Sequence, residues 1–164
     1  MEKVYGSPKR QDGLFRVGRN KYEVIYGFGN DSDNPEQGWN WRKRFDHRPS
    51  LDEIKAIIIQ VIEAESAHKL RYGLEWNGLP VEYTEERKSD LTGMLVAMQA
   101  GIMQLPVTLN LGEYPDGSPV FYEFTKAEEI MGVAAAISNH KIAVCNEEWQ
   151  EKSSVDWSAY ETEQ

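Results

Sequence analysis

Leu74-Glu75-Trp76-Asn77-Gly78-Leu79-Pro80-Val81-Glu82-Tyr83 is the stretch that decides how this chain folds. Asn-Gly tolerates the positive φ angles of a two-residue hairpin turn. Such a turn pairs Trp76 with Leu79 and Leu74 with Val81. Those four residues and Tyr83 then share one face, and Glu75 and Glu82 share the other. A slip of one residue would turn the whole apolar set outward, so the register is specified. Pro80 has no N–H to donate, which places its strand at a sheet edge.

On the N-terminal side of the hairpin, Ser50-Leu51-Asp52-Glu53 reads as a capping box. The serine oxygen accepts from the third helical N–H while the glutamate reaches back. Leu51, Ile54, Ile58, Val61 and Ile62 recur near helical spacing, to about Tyr72. The run Ile57-Ile58-Ile59 has strand propensity, but length, cap and the interspersed Lys55, Gln60 and Glu63 favour a helix. On the C-terminal side, Thr84 caps a second helix with Glu85 and Glu86 in its first turn. Leu91, Met94, Leu95, Met98 and Ile102 form one buried stripe there, and Pro106 stops the helix.

Val107, Leu109 and Leu111 alternate, as do Val120, Tyr122 and Phe124, about the turn Tyr114-Pro115-Asp116-Gly117. This is a second hairpin. Thr125-Lys126-Ala127-Glu128 reads as another capping box. Ile130, Met131, Ala134, Ile137 and Val144 outline a third helix to about Trp149.

Ahead of these elements, Leu14–Val17, Tyr22–Phe28 and the segment holding Trp39, Trp41, Lys43 and Phe45 form a small antiparallel sheet. The first dozen residues read as a loose arm, and Gly29–Gly38 as a flexible loop. The expected fold class is therefore α+β: an N-terminal antiparallel β-sheet followed by helix–hairpin–helix–hairpin–helix. Residues 1–48 would hold the sheet and arm, 49–150 the helix–hairpin domain, and 151–164 a polar tail anchored by Trp157 and Tyr160.

The 27 acidic residues outnumber 18 basic ones, for a formal charge of -9. Such a field repels phosphate backbones, so nucleic acid is not an expected partner. Arg42-Lys43-Arg44 reads as a solvated strand edge. No stretch approaches the ~18 apolar residues of a membrane span, and the polar start Met1-Glu2-Lys3-Val4-Tyr5 does not read as a signal peptide. A lone Cys145 forms no internal bridge and reads as an inert thiol in a reducing compartment.

His47, His68 and His140 lack zinc-ligand spacing. No GxSxG, P-loop or GxGxxG is present, and Asp31-Ser32-Asp33-Asn34 lacks the later ligands of a calcium loop. No catalytic residue, cofactor or metal is expected. The aromatic residues are the binding candidates. Tyr22, Tyr26, Phe28, Trp39 and Trp41 crowd the small sheet, and Trp157 and Tyr160 mark the tail. Large rigid rings bury much area at low entropic cost.

Residues from about Ser50 to Trp149 resemble a domain of unknown function found in phage tail-fibre and tail-associated proteins. The motifs are Gly73-Leu74-Glu75-Trp76-Asn77-Gly78, Asp90-Leu91-Thr92-Gly93-Met94-Leu95 with Ala97-Met98-Gln99-Ala100-Gly101, Leu105-Pro106-Val107-Thr108, and a helix opened by Phe124-Thr125. The N-terminal part is similar to a version carried by prophages of gut Bacteroidetes. It shares Tyr26-Gly27-Phe28-Gly29, Gly38-Trp39-Asn40 and Asp156-Trp157-Ser158-Ala159-Tyr160. The resemblance implies a non-enzymatic structural or assembly role, through protein–protein contact with phage tail or fibre proteins. It places the chain in the bacterial host cytoplasm during synthesis and in the virion if assembled. A homo-oligomer is a further expectation, and a host-surface glycan on the aromatic sheet is the alternative ligand. The expected contact residues are Tyr26, Trp39, Trp41, Trp157 and Tyr160.

Overall fold

A computed structural model describes residues 1–34 and 37–163. Its elements run β1 (Glu2–Ser7), β2 (Gly13–Gly18), β3 (Lys21–Asn30), β4 (Gly38–Phe45), α1 (Leu51–Tyr72), β5 (Leu74–Trp76) and β6 (Leu79–Val81). There follow α2 (Glu85–Gln99), β7 (Val107–Glu113), β8 (Pro119–Phe124), α3 (Ala127–Ser154) and a 3-10 helix (Trp157–Tyr160). The protein is α+β, with the expected order of helices and hairpins behind an N-terminal antiparallel sheet.

Contacts gather the chain into two units. One comprises residues 1–63 with 151–164 and the other residues 64–150. This differs from the division into 1–48, 49–150 and 151–164. The boundaries fall within α1 and α3, because the first half of α1 and the last residues of the chain share a core with the sheet.

In the first unit four antiparallel strands lie in the order β1-β4-β3-β2. The arm expected at the N-terminus is corrected here: Lys3 pairs with Trp41 and Tyr5 with Trp39. A polar sequence suggested mobility, but the free edge of β4 supplies backbone partners that composition does not report. The expected loop also begins later, since Gly29 and Asn30 still pair with Trp39 and Gly38. Of that loop, Pro35 and Glu36 lie outside the described residues.

One face of this sheet presents Leu14, Tyr22, Val24 and Tyr26 to Ile54, Ile58, Val61 and Ile62 of α1. The helix starts as its cap requires. The Ser50 N–H donates to Glu53 Oε2 (2.8 Å), and the Glu53 N–H donates to Ser50 Oγ (3.3 Å).

The second unit is built on the Asn-Gly hairpin. Asn77 and Gly78 adopt φ of 52° and 77°, and Leu74↔Val81, Glu75↔Pro80 and Trp76↔Leu79 are the pairs. Pro80 sits one step beyond the turn, in a pair that exchanges no ladder bonds, so its missing N–H costs the sheet nothing. The Glu82 N–H donates to the Leu111 carbonyl (2.9 Å), joining this hairpin to β7. Leu74, Val81, Leu91, Leu111, Val120, Phe124, Ile130, Val133 and Ile137 form the core.

Four local expectations in this unit are corrected. The second helix stops at Gln99, well before Pro106, because the chain turns at Ala100–Gly101. The Ile102 N–H then donates to the Ala97 carbonyl (2.9 Å). Ile102 lies beyond that turn and is exposed rather than part of the stripe. Met131 also faces outward, about 100° round α3 from Ile130, and Val133 occupies the core instead. At the start of α3, Glu129 rather than Glu128 closes the cap, accepting from the Thr125 (2.8 Å) and Lys126 (3.1 Å) N–H groups.

The first turn of α2 carries a titratable contact. Lys141 (2.8 Å) and the Tyr83 hydroxyl donate to Glu85 and hold its carboxyl down at about 2, against an ordinary 4.5. A carboxyl lowered by folding stabilises the folded state above pH 4.5, and this contribution is lost as pH falls toward 2. Both partners face solvent, so salt screens the contact and the effect is modest. Thermal unfolding from pH 5 to pH 2 is expected to fall less steeply for Glu85→Gln than for the wild type. Parallel curves would show that this contact adds nothing.

Candidate functional site

Alternation along β4 sends Trp39, Trp41, Lys43 and Phe45 to one face and Asn40, Arg42 and Arg44 to the other. Antiparallel pairing with β1 sets Tyr5 beside Trp39 and Lys3 beside Trp41 on the first face. The two indoles meet edge to face, 5.9 Å apart at 76°. The Lys3 ammonium stands 3.7 Å from the centre of Trp39 and 5.2 Å from that of Trp41. A cation so placed is attracted to the ring quadrupole by about 0.5–2 kcal/mol.

Gly29 lets Trp39 lie flat on β3, since a Cβ there would fall 2.2 Å from the indole. Trp41 continues toward the core, and its Nε1 is buried with no hydrogen-bond partner among the described residues. Tyr5 is 60% exposed. The result is a half-open aromatic edge carrying one cation.

The opposite face holds a polar network. Asn40 Nδ2 donates to Ser7 Oγ (2.7 Å), and Arg42 Nε donates to Asn40 Oδ1 (2.8 Å). Glu23, buried, accepts from Arg44 Nε (2.8 Å) and from Arg42 Nη1 (3.4 Å). A shallow concavity of about 660 Å³ lies beside it, lined by Met1, Glu2, Val4, Glu23, Arg42, Lys43 and Arg44. Strand alternation thus splits the basic triplet between two faces, and Glu23 engages two of its three cations.

Of the five residues expected to make contact, Trp39 and Trp41 stand at this edge. Tyr26 and Tyr160 are corrected to core residues. The Tyr26 hydroxyl donates to Glu151 Oε1 (2.9 Å), and the Tyr160 hydroxyl donates to the Ile25 carbonyl (3.0 Å). Burial pushes both phenols well above their ordinary value, with the Glu151 contact adding to the effect at Tyr26. Trp157 is half-buried against Tyr160, with Lys55 5.7 Å from its ring. Sequence reasoning missed Lys3 and Tyr5. The alternation Lys3-Val4-Tyr5 was the signal, and it was masked by the turn residues that follow.

The histidines have structural partners. His140 Nε2–H donates to the Lys69 and Leu70 carbonyls (3.1 Å each), capping the end of α1. His47 contacts Glu53 (3.3 Å), and His68 packs on Tyr72. Among the described residues no group of three or more His, Cys, Asp or Glu could hold a metal, and no helix is long and apolar enough to cross a membrane. Comparison with family models, curated proteins and solved structures finds no match to this chain.

Proposed function

We propose that this chain is a non-enzymatic module that acts by protein–protein contact, with Lys3, Tyr5 and Trp39 at the centre of its contact surface. The phage tail implied by the resemblance is the setting to test first. The observation that carries the reading is the inequality of the two sheet edges. The outer side of β2 is met by a parallel bridge between Leu14 and Glu163. The outer side of β1 has no strand partner among the described residues. A protein segment adding to Glu2–Tyr5 would gain main-chain hydrogen bonds and meet the aromatic edge with its side chains. The bulge between Tyr5 and Ser7 limits such pairing to a short stretch.

Co-purification with tail or fibre proteins tests this. Tyr5→Ala and Trp39→Ala are expected to reduce recovery about 30-fold or more, as for interface residues worth ~2 kcal/mol. Circular dichroism of both variants checks the fold. Undiminished recovery with both would remove this edge as the contact.

A glycan is the second reading, favoured by the adjacent Trp39 and Trp41 rings, on which a sugar could stack. It would have to displace the Lys3 ammonium from Trp39. Binding on a glycan array that Trp39→Ala abolishes would support it over the first.

A further inference from the structure

Helix α3 uses one face for its own core, through Ile130, Val133, Ile137 and Val144. A second set lies about 120° round the helix from it: Met131, Ala135, Ser138, Ile142, Cys145 and Trp149, all exposed. Their spacing of four, three, four, three and four residues is that of a coiled-coil seam. Ile142 is 59% exposed, Met131 49% and Trp149 69%.

This face is also without charge. Over its span, Met131 to Trp149, the ionisable side chains besides Cys145 are His140, Lys141, Glu147 and Glu148, none of them at a seam position; His140 turns to the α1 carbonyls, Lys141 to Glu85 and Glu147 to Lys69.

We propose that this face is the seam at which two copies of the chain pair, α3 against α3 and antiparallel. Two copies each carrying -9 repel over most of their surfaces. The outward faces of α1 and α2 carry Asp52, Glu53 and Glu63, and Glu85, Glu86 and Asp90. The seam of α3 is a long helix face on which like charges do not meet.

Side-chain size sets the direction. An antiparallel pair centred between Ser138 and Ile142 places Ile142 against the second copy's Ser138, Cys145 against Ala135, and Met131 against Trp149. A parallel pair would set Ile142 on Ile142 and Ala135 on Ala135, leaving crowding beside voids. Asn139 and Asn146 flank the seam with uncharged hydrogen-bonding groups. The seam is about 27 Å long at 1.5 Å per residue. Three of its six side chains are small, which sets the interface at the low end of stable sizes, with an affinity expected at the micromolar end of the span such interfaces cover. It lies wholly within residues 64–150 and does not depend on the sheet edge.

Sedimentation equilibrium between about 5 and 200 μM tests the pairing across the affinity range given above. The wild type should approach twice its 18.8 kDa mass. Ile142→Glu and Ala135→Glu should remain monomeric with unchanged circular-dichroism melting, because both sites are solvent-facing. Oxidation should cross-link Ala135→Cys through the second copy's Cys145 and leave the wild type uncross-linked. A wild-type monomer at the highest concentration would overturn the pairing, as would a dimer that survives both glutamates. If that monomer sedimented with phosphatidylglycerol vesicles, the face would belong to a lipid surface instead. Wild-type cross-linking through Cys145 alone would overturn the antiparallel order.

Discussion

Tyr160→Ala is expected to lower the stability of the unit formed by residues 1–63 and 151–164 by about 3–5 kcal/mol. The ring is 2% exposed and packs with Leu14, Tyr22, Val24 and Ile58. Its removal leaves a cavity and strips the Ile25 carbonyl of its hydroxyl donor. Tyr160→Phe keeps the ring and loses the hydrogen bond, so it should cost about 1 kcal/mol. Ending the chain at Ser154 should cost more than either, since Val155, Trp157, Ala159 and the Leu14–Glu163 bridge go as well. Denaturant unfolding followed by circular dichroism and tryptophan fluorescence would measure all three. Unchanged midpoints would show that the C-terminal segment contributes nothing to this unit, as a docking appendage would.

Glu23→Ala should be the second costly change, at about 3 kcal/mol, the lower part of the range for breaking a buried ion pair. The cost arises at Arg42. Its side chain is 28% exposed, and it would keep Asn40 but lose its carboxylate. Arg44 is 81% exposed and returns to water when Glu23 is removed. Arg44→Ala should therefore leave stability nearly unchanged, while Arg42→Ala should approach the effect of Glu23→Ala. Equal effects at the two arginines would mean that Glu23 is not held mainly through Arg42. Urea midpoints of the three variants, compared at one ionic strength, decide between these.

Much of the fold was legible where local chemistry is self-sufficient. Asn77-Gly78 fixes both turn and register, and Ser50 with Glu53 fixes the start of α1, because each pair of residues completes its own hydrogen bonds. The stripe of Leu91 and Met94 was legible for the same reason, through periodicity. Where the outcome depends on a distant partner, the local signal failed. Glu2–Ser7 looks like an arm until the edge of β4 is beside it. Tyr160 looks like a docking residue until the carbonyl of Ile25, far away in sequence, accepts its hydrogen bond. Met131 was misplaced because neighbouring positions on a helix differ by about 100°, enough to move a side chain from core to solvent. The candidate site was legible in Trp39 and Trp41 and not in Lys3 and Tyr5, which join it only through cross-strand pairing.

The bridge at Leu14 has a consequence for assembly. A ribbon open along both margins can recruit neighbours without limit, which is how fibrils grow. Here Glu163 bridges the other margin at Leu14, so strand addition on that side meets an obstacle that Glu2–Tyr5 lacks. Growth of the sheet is thereby hindered in one direction, and losing the last residues of the chain would remove the hindrance.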